Sequence, residues 1–146
     1  MALLTKKALL DTNILIDICD PARPGYKDAA KLLKACANKR KRTLIACVSS
    51  LKDAYYILCK QYANERAARM DIDRLFDLLD VVDLTSRHAR VALDSNEPDF
   101  EDGLVRAVAE SHNVAAIVTR DARAFAGSNI PCMDARAYLK KIVEQS

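Results

Sequence analysis

Asp11, Asp53, Asp99, Asp102 and Asp121 each sit where an apolar segment ends or a helix-like one begins. "ALLDTNILID", residues 8–17, shows the pattern: an apolar run with the look of a buried strand stops on Asp11, and apolar residues resume at helical spacing with Ile14, Leu15 and Ile18. A carboxylate at such a junction is costly to desolvate and needs a helix N-terminus, a cation or a metal beside it. Asp53 follows "TLIACV", Asp121 follows "AAIVTR", and Asp99 and Asp102 stand i, i+3 at the start of "DFEDGLVRAVAE". If the apolar runs are parallel strands, Asp11, Asp53 and Asp121 share one edge of the sheet. Asp99 and Asp102 can point the same way, with Glu101 rotated off their face. Converging carboxylates raise one another's pKa unless a cation stands among them. Oxygen ligands without a paired His or Cys favour Mg²⁺ or Mn²⁺ over Zn²⁺. His88 and His112 are far apart in the pattern and read as surface residues. Each acid also has a purely structural role open to it: Asp11 and Asp99 as helix caps, Asp53 near a helix's positive end, Asp121 in an Asx-turn. Jointly, acids at matching ends of alternating elements point to a metal site.

The elements that must position these acids alternate along the chain. "KKALLD" is a first strand, followed by a helix with Ala29, Leu32, Leu33 and Cys36 on its inner face. "TLIACV" is a second strand; Ser49 or Ser50 is the expected N-cap of a helix carrying Ala54, Tyr55, Leu58 and Cys59, with Asp53 in its first turn. Ile72, Leu75, Phe76 and Leu79 mark another amphipathic helix, "VVDLT" a third strand and "SRHARVALD" a short helix. A helix capped by Asp99 turns Leu104, Val105 and Val108 inward, "AAIVT" is a further strand, and "IPCMDARAYLKKIV" closes with a short strand and a helix. This order predicts an α/β fold, a mostly parallel sheet sandwiched by helices, with ligands outside the carboxyl ends of the strands.

The chain of 146 residues fits one domain, residues 1–146, and its 51% apolar and 29% charged residues suit a soluble globular protein rather than a disordered one. No apolar run approaches the ~18–20 residues of a membrane span, and "MALLTKKALLDT" lacks the features of a secretory signal, so a cytoplasmic location is expected. Cys19, Cys36, Cys47, Cys59 and Cys132 are odd in number, scattered and without a C-x-x-C pair, which fits buried thiols in a reducing compartment. The formal net charge is only +3, but it is unevenly spread, with "NKRKR" (38–42) basic and "DSNEPDFED" (94–102) acidic. Lys39, Arg40, Lys41 and Arg42 can track RNA phosphates toward the acids, or simply end a helix where cations suit the negative end of its dipole.

"LLDTNILID", "SSLKDAYYIL", "PDFEDGLVRAVAE" and "IVTRDARAF", in that order and over nearly the whole chain, resemble the motifs of the PIN-domain family. The chain is similar in particular to the ribonuclease toxins of type II toxin–antitoxin systems. The resemblance implies a compact three-layer α/β/α sandwich and a Mg²⁺- or Mn²⁺-dependent endoribonuclease that hydrolyses RNA phosphodiester bonds. The family's first acid falls on Asp11, followed by Thr12 and Asn13 as expected. Its second, usually Glu, falls on Asp53; its third falls on Asp102 and its fourth on Asp121. Ala124 stands where the family often has a further acid. On this reading Asp11 and Asp102 hold a metal while Asp53 and Asp121 complete its shell or hold a second ion. Asp99 supports the set, and Thr12, Asn13 and Thr119 orient ligands or the scissile phosphate. The resemblance also implies a homodimer and a small antitoxin protein covering the acidic pocket. Two other readings remain: a catalytically silent RNA-binding or scaffold module of the same fold, and an aspartyl-nucleophile phosphotransfer enzyme. The latter wants a second acid two residues after Asp11, where Asn13 stands. No Ser–His or Cys–His pair offers a covalent route.

Overall fold

The computed structural model describes residues 6–37, 42–121 and 123–145. In chain order the elements are β1 (Lys6–Leu10), α1 (Thr12–Cys19), α2 (Tyr26–Ala35), β2 (Arg42–Cys47), α3 (Val48–Tyr62) and α4 (Glu65–Leu78). They continue with β3 (Asp80–Val82), α5 (Ser86–Asp94), α6 (Phe100–Ser111), β4 (Ala116–Val118), β5 (Cys132–Met133) and α7 (Ala135–Glu144). The strands form one five-stranded sheet in the order β3-β2-β1-β4-β5, and every pairing is parallel.

Successive side chains of a strand point to opposite faces, and here that alternation divides the core in two. Ala8 and Leu10 of β1, Leu44 and Ala46 of β2, and Ala116 and Val118 of β4 pack with apolar residues of α1, α2, α3, α4 and α7. Leu9, Ile45, Cys47 and Ile117 face the other way, against Val105, Val108 and Ala109 of α6 and the side chain of Phe125. Helices therefore cover both faces of a central sheet, as a fully buried parallel sheet requires. Leu9, Leu10, Ile45 and Ile117 are at most 2% exposed, and burying each such side chain contributes roughly 1.5–3 kcal/mol.

The strand order places the site. From β1 the chain steps to β2 and on to β3, then α5 and α6 carry it back to β4 on the far side of β1. The connections leaving β1 and β4 thus diverge at neighbouring strands, which opens a crevice at their carboxyl ends. Asp11 follows β1 directly and Thr119 follows β4, so both stand at this crevice.

Several local expectations differ from the structure. Neither Ser49 nor Ser50 caps α3: β2 runs straight into the helix, Cys47 occupies the N-cap without a side-chain bond, and Asp53 falls in the second turn. Ser49 Oγ instead lies 3.1 Å from Cys47 Sγ. Phe76 is 54% exposed, so α4 turns Ala68 and Leu75 inward and leaves Phe76 on its outer face. Helix α2 ends at Ala35, and Arg42 begins β2; Arg42 thus lies at the amino end of a strand and not at a helix end. Lys39, Arg40 and Lys41 lie outside the described residues. His88 completes a capping box with Thr85 at the start of α5, and its Nε2 lies 3.0 Å from Ser111 Oγ. The five cysteines are free; Cys19, Cys36 and Cys47 are buried, and burial pushes the Cys19 thiol up to about 12, which makes it inert. Among the described residues no helix is long and apolar enough to cross a membrane.

Candidate active site

Asp11 is the N-cap of α1, and its extended backbone lets Oδ1 accept the Thr12 N–H at 2.9 Å. Oδ2 accepts from the Thr119 hydroxyl at 2.8 Å, a buried bond between neighbouring strand ends. Thr119 Oγ1 is in turn the acceptor for Asn13 Nδ2 (3.3 Å) and the Asp121 N–H (3.1 Å). One donor and two lone pairs are all that a hydroxyl has, so Thr119 is saturated. Asn13 closes the ring through Oδ1, which accepts the Arg120 N–H at 3.1 Å. Thr12, Asn13 and Thr119 thus act on the protein's own groups here, locking the turn after β4 to the start of α1.

The remaining acids arrive from other elements. Asp53 stands on α3, partly exposed, with Lys52 Nζ at 4.0 Å. Asp102 is in the first turn of α6, whose N-cap Asp99 accepts the Asp102 N–H at 3.1 Å. Asp121 uses Oδ1 to accept the Arg123 and Ala124 N–H groups at 3.0 and 3.4 Å, an Asx-turn that fixes the loop after β4. The structural roles open to Asp11, Asp99 and Asp121 are therefore all filled, and a cap or turn engages only some of a carboxylate's acceptor sites.

Asp11, Asp53, Asp102 and Asp121 line one cleft of about 540 Å³, together with Thr12, Asn13, Ile16, Arg23, Tyr56, Ile57, Glu101 and Val105. Burial and the like charges of Asp11, Asp99, Glu97 and Asp121 push the Asp102 carboxyl up to about 6. Burial also raises Asp11, opposed by its bonds from Thr119 and Thr12 and reinforced by Asp121 and Asp53. The acids thus sense one another across the cleft, a charge pattern that calls for a cation, and their oxygens are ligands of the kind Mg²⁺ and Mn²⁺ take. The fit is in chemistry and charge: among the described residues no three His, Cys, Asp or Glu side chains are grouped so as to hold one ion as they stand.

The cleft's lining differs from expectation at two acids. Glu101 lines it and Asp99 does not, because Asp99 turns back to cap α6. Sequence reading missed other participants. Tyr56 and Ile57 follow Asp53 at i+3 and i+4, and Val105 follows Glu101 at i+4, so helical spacing from the acids carried the signal. Glu97, with a side chain 2% exposed, accepts the Phe125 N–H on Oε2 at 3.1 Å and pairs with Arg106 Nη1 at 3.6 Å. It thereby holds Phe125 at φ 66°, a left-handed backbone that a bulky residue rarely adopts. Arg106 also bonds Glu110, Asn96 and the Gly127 carbonyl, so α6 and the loop after Asp121 form one rigid piece. Arg23 and its buried partner Asp17 lie in "DICDPAR", where no periodicity marks them.

The family model described as PIN domain matches residues 7–123, which contain all of these acids. No curated protein matches the sequence significantly. Among solved structures, VapC20 of Mycobacterium tuberculosis, described as a sarcin-ricin loop cleaving toxin, is 19% identical with a TM-score of 0.66, over 83% of this chain and 95% of that one. PAE2754 from Pyrobaculum aerophilum is 20% identical with a TM-score of 0.68, over 99% and 98%. A toxin–antitoxin complex from Klebsiella pneumoniae contains a chain 23% identical with a TM-score of 0.59, over 84% and 92%. At these identities the likeness is one of fold.

Proposed function

The chain belongs to the PIN domain family, and from that premise we propose that it is a metal-dependent endoribonuclease, the toxin of a type II toxin–antitoxin pair. One observation carries this reading: Asp11, Asp53, Asp102 and Asp121 come from four separate segments to line a single cleft at the divergence of β1 and β4. Its neighbours in fold support it, since one is described as a sarcin-ricin loop cleaving toxin and another as part of a toxin–antitoxin complex. The proposal takes the chain as one nuclease domain, working in the cytoplasm as a homodimer, with RNA as substrate and a small antitoxin as its inhibitor.

In this mechanism Asp11 and Asp102 would hold a Mg²⁺ or Mn²⁺ ion, and Asp53 and Asp121 would complete its shell or hold a second ion. When bound, the ion lowers the pKa of a water molecule and offsets charge on the phosphate. The protein's share is preorganisation. Asp11 is held in one rotamer by Thr12 and Thr119, and each of its oxygens keeps a lone pair for a ligand. Without a cation, burial and the neighbouring acids push the Asp102 carboxyl up to about 6, so a bound cation would hold it ionised as a ligand. Tyr56, Ile57 and Val105 give the cleft an apolar wall beside the acids.

The test is cleavage of labelled RNA by the purified protein with Mg²⁺ or Mn²⁺. Activity should vanish in chelator and fall at least about 100-fold in a folded Asp102→Asn variant, the scale of losing a group that acts in the transition state. Undiminished cleavage by that variant would assign the activity to something other than this cleft.

A further inference from the structure

Arg23 is the one basic side chain lining the acidic cleft, among the described residues. It does not swing freely there: its Nε donates to Asp17 Oδ1 at 2.8 Å. Asp17, in α1 and 1% exposed, presents its other oxygen to Arg120 Nε at 3.0 Å. Two guanidinium groups therefore share one buried carboxylate, Arg23 on the side of the acidic cleft and Arg120 on the side of a small pocket that it lines with Asp28, Asp134 and Arg136. Neutralising Asp17 needs one cation, and the second is surplus to that need. Each arginine engages Asp17 through Nε, and neither has a second side-chain partner among the described residues. Both remain accessible, at 24% and 39% side-chain exposure.

The surroundings are built to keep this arrangement. Gly25 has φ −81° and ψ −5°, a backbone open to any residue, so its lack of a side chain answers to space. A Cβ there would overlap the Asp17 carboxylate. Arg120 is fixed at the backbone as well, because its N–H donates to Asn13, one turn before Asp17 on the same helix. The clamp and Asp11 therefore belong to one rigid unit.

We propose that Arg23, which lines the cleft, and Arg120, which the same Asp17 carboxylate holds at an adjoining small pocket, form a phosphate-binding arm that seats the sugar–phosphate backbone of a single RNA strand as it leaves the carboxylates. An acidic cleft repels a polyanion unless fixed cations offset the repulsion, and arginine's planar fork matches two phosphate oxygens where a lysine offers a point charge. The inference rests on the nuclease reading for the identity of the polyanion. Arg23 and Arg120 are in this view substrate-binding residues, and Asp17 positions them.

The experiment measures binding separately from cleavage. In the cleavage-blocked Asp102→Asn background, the affinity of a short, fluorescein-labelled, mixed-sequence single-stranded RNA is followed by anisotropy over a KCl series. Arg23→Ala and Arg120→Ala should each weaken binding about tenfold and flatten the slope of log affinity against log salt by roughly 0.7. In the cleaving parent, each should raise KM far more than it lowers kcat. Arg23→Lys, which keeps the charge, should retain the salt slope while losing part of the affinity. Folded Arg23→Ala and Arg120→Ala variants with parental affinity and slope would overturn the arm; were Arg23→Ala unable to fold, Arg23→Lys and Arg120→Ala decide alone. If the parent binds RNA through these arginines but cleaves none, the nuclease reading fails and the arm stands. If it cleaves and the variants bind and cleave like the parent, the arm fails and the nuclease reading stands.

Discussion

The Thr119 hydroxyl donates to Asp11 Oδ2 at 2.8 Å, across 108 positions of sequence. It joins the carboxyl ends of adjacent strands, β4 and β1, and both residues are buried. Thr119→Val removes the hydroxyl at nearly constant shape, strips Asp11 of a bond that favours its charged form, and orphans Asn13 Nδ2 and the Asp121 N–H. A loss of about 1–3 kcal/mol is expected, read from urea unfolding, with Thr119→Ser recovering most of it. A Thr119→Val midpoint equal to the parent's would mean that Asp11 is held some other way.

The Asp102 carboxyl makes stability depend on pH in an identifiable direction. Its folded value of about 6 lies above the ordinary 3.8, so between these values the folded chain binds more protons than the unfolded one. Stability in chelator should therefore fall as pH rises from about 4 to about 6, and raised Asp11 acts in the same sense. Asp102→Asn should flatten this dependence and melt higher than the parent at pH 7. A variant that melts lower at pH 7 would show that Asp102 chiefly supports α6.

Metal should reverse that penalty. Mn²⁺ added at pH 7 is expected to raise the melting temperature by preferential binding to the folded state, worth about 2.7 kcal/mol at a hundred times its Kd. The gain should shrink at pH 5, where protons compete for Asp102, and should be mostly lost in Asp11→Asn. An unmoved melting curve over a wide Mn²⁺ titration, with the folded state verified, would speak against a metal site.

The alternation of strands and helices was legible because each buried strand is a short apolar run and each helix has an apolar stripe; the positions of Asp11 and Asp121 beyond β1 and β4 follow from that pattern. The start of α3 was not, because β2 passes into it with no polar loop, and the serines that resemble a cap lie within the helix. Glu101 was misplaced for a related reason: helical spacing groups Asp99 with Asp102, but a residue at the cap lies outside the helix and turns inward on the backbone. The Asp17 clamp depends on a loop conformation around Gly25 that no periodicity encodes.

Gly25→Ala tests that loop directly. The new methyl must displace the Asp17 carboxylate or move the start of α2, and an overpacked buried site of this kind costs about 1–3 kcal/mol. Denaturant unfolding should show the loss. Equal stability of Gly25→Ala and the parent would mean that the segment between α1 and α2 shifts freely and that the clamp is adjustable.

The basic run "NKRKR" can be tested through the length of RNA it serves. Arg42 opens β2, and its Nη2 donates to Gln145 Oε1 at 3.2 Å. The acids lie at the opposite, carboxyl end of the sheet, and a strand of six residues spans about 20 Å. A strand of RNA that only fills the cleft therefore cannot touch Arg42, whereas a longer one can run along the protein to reach it. Arg42→Gln should leave binding of a cleft-sized oligonucleotide unchanged. For a long RNA it should flatten the salt slope by roughly 0.7 per lost contact, without moving the cleavage position, because phosphate contacts carry no base information. Weakened binding of the short oligonucleotide would contradict the separation of Arg42 from the cleft, and an unchanged slope for the long RNA would remove Arg42 from RNA binding.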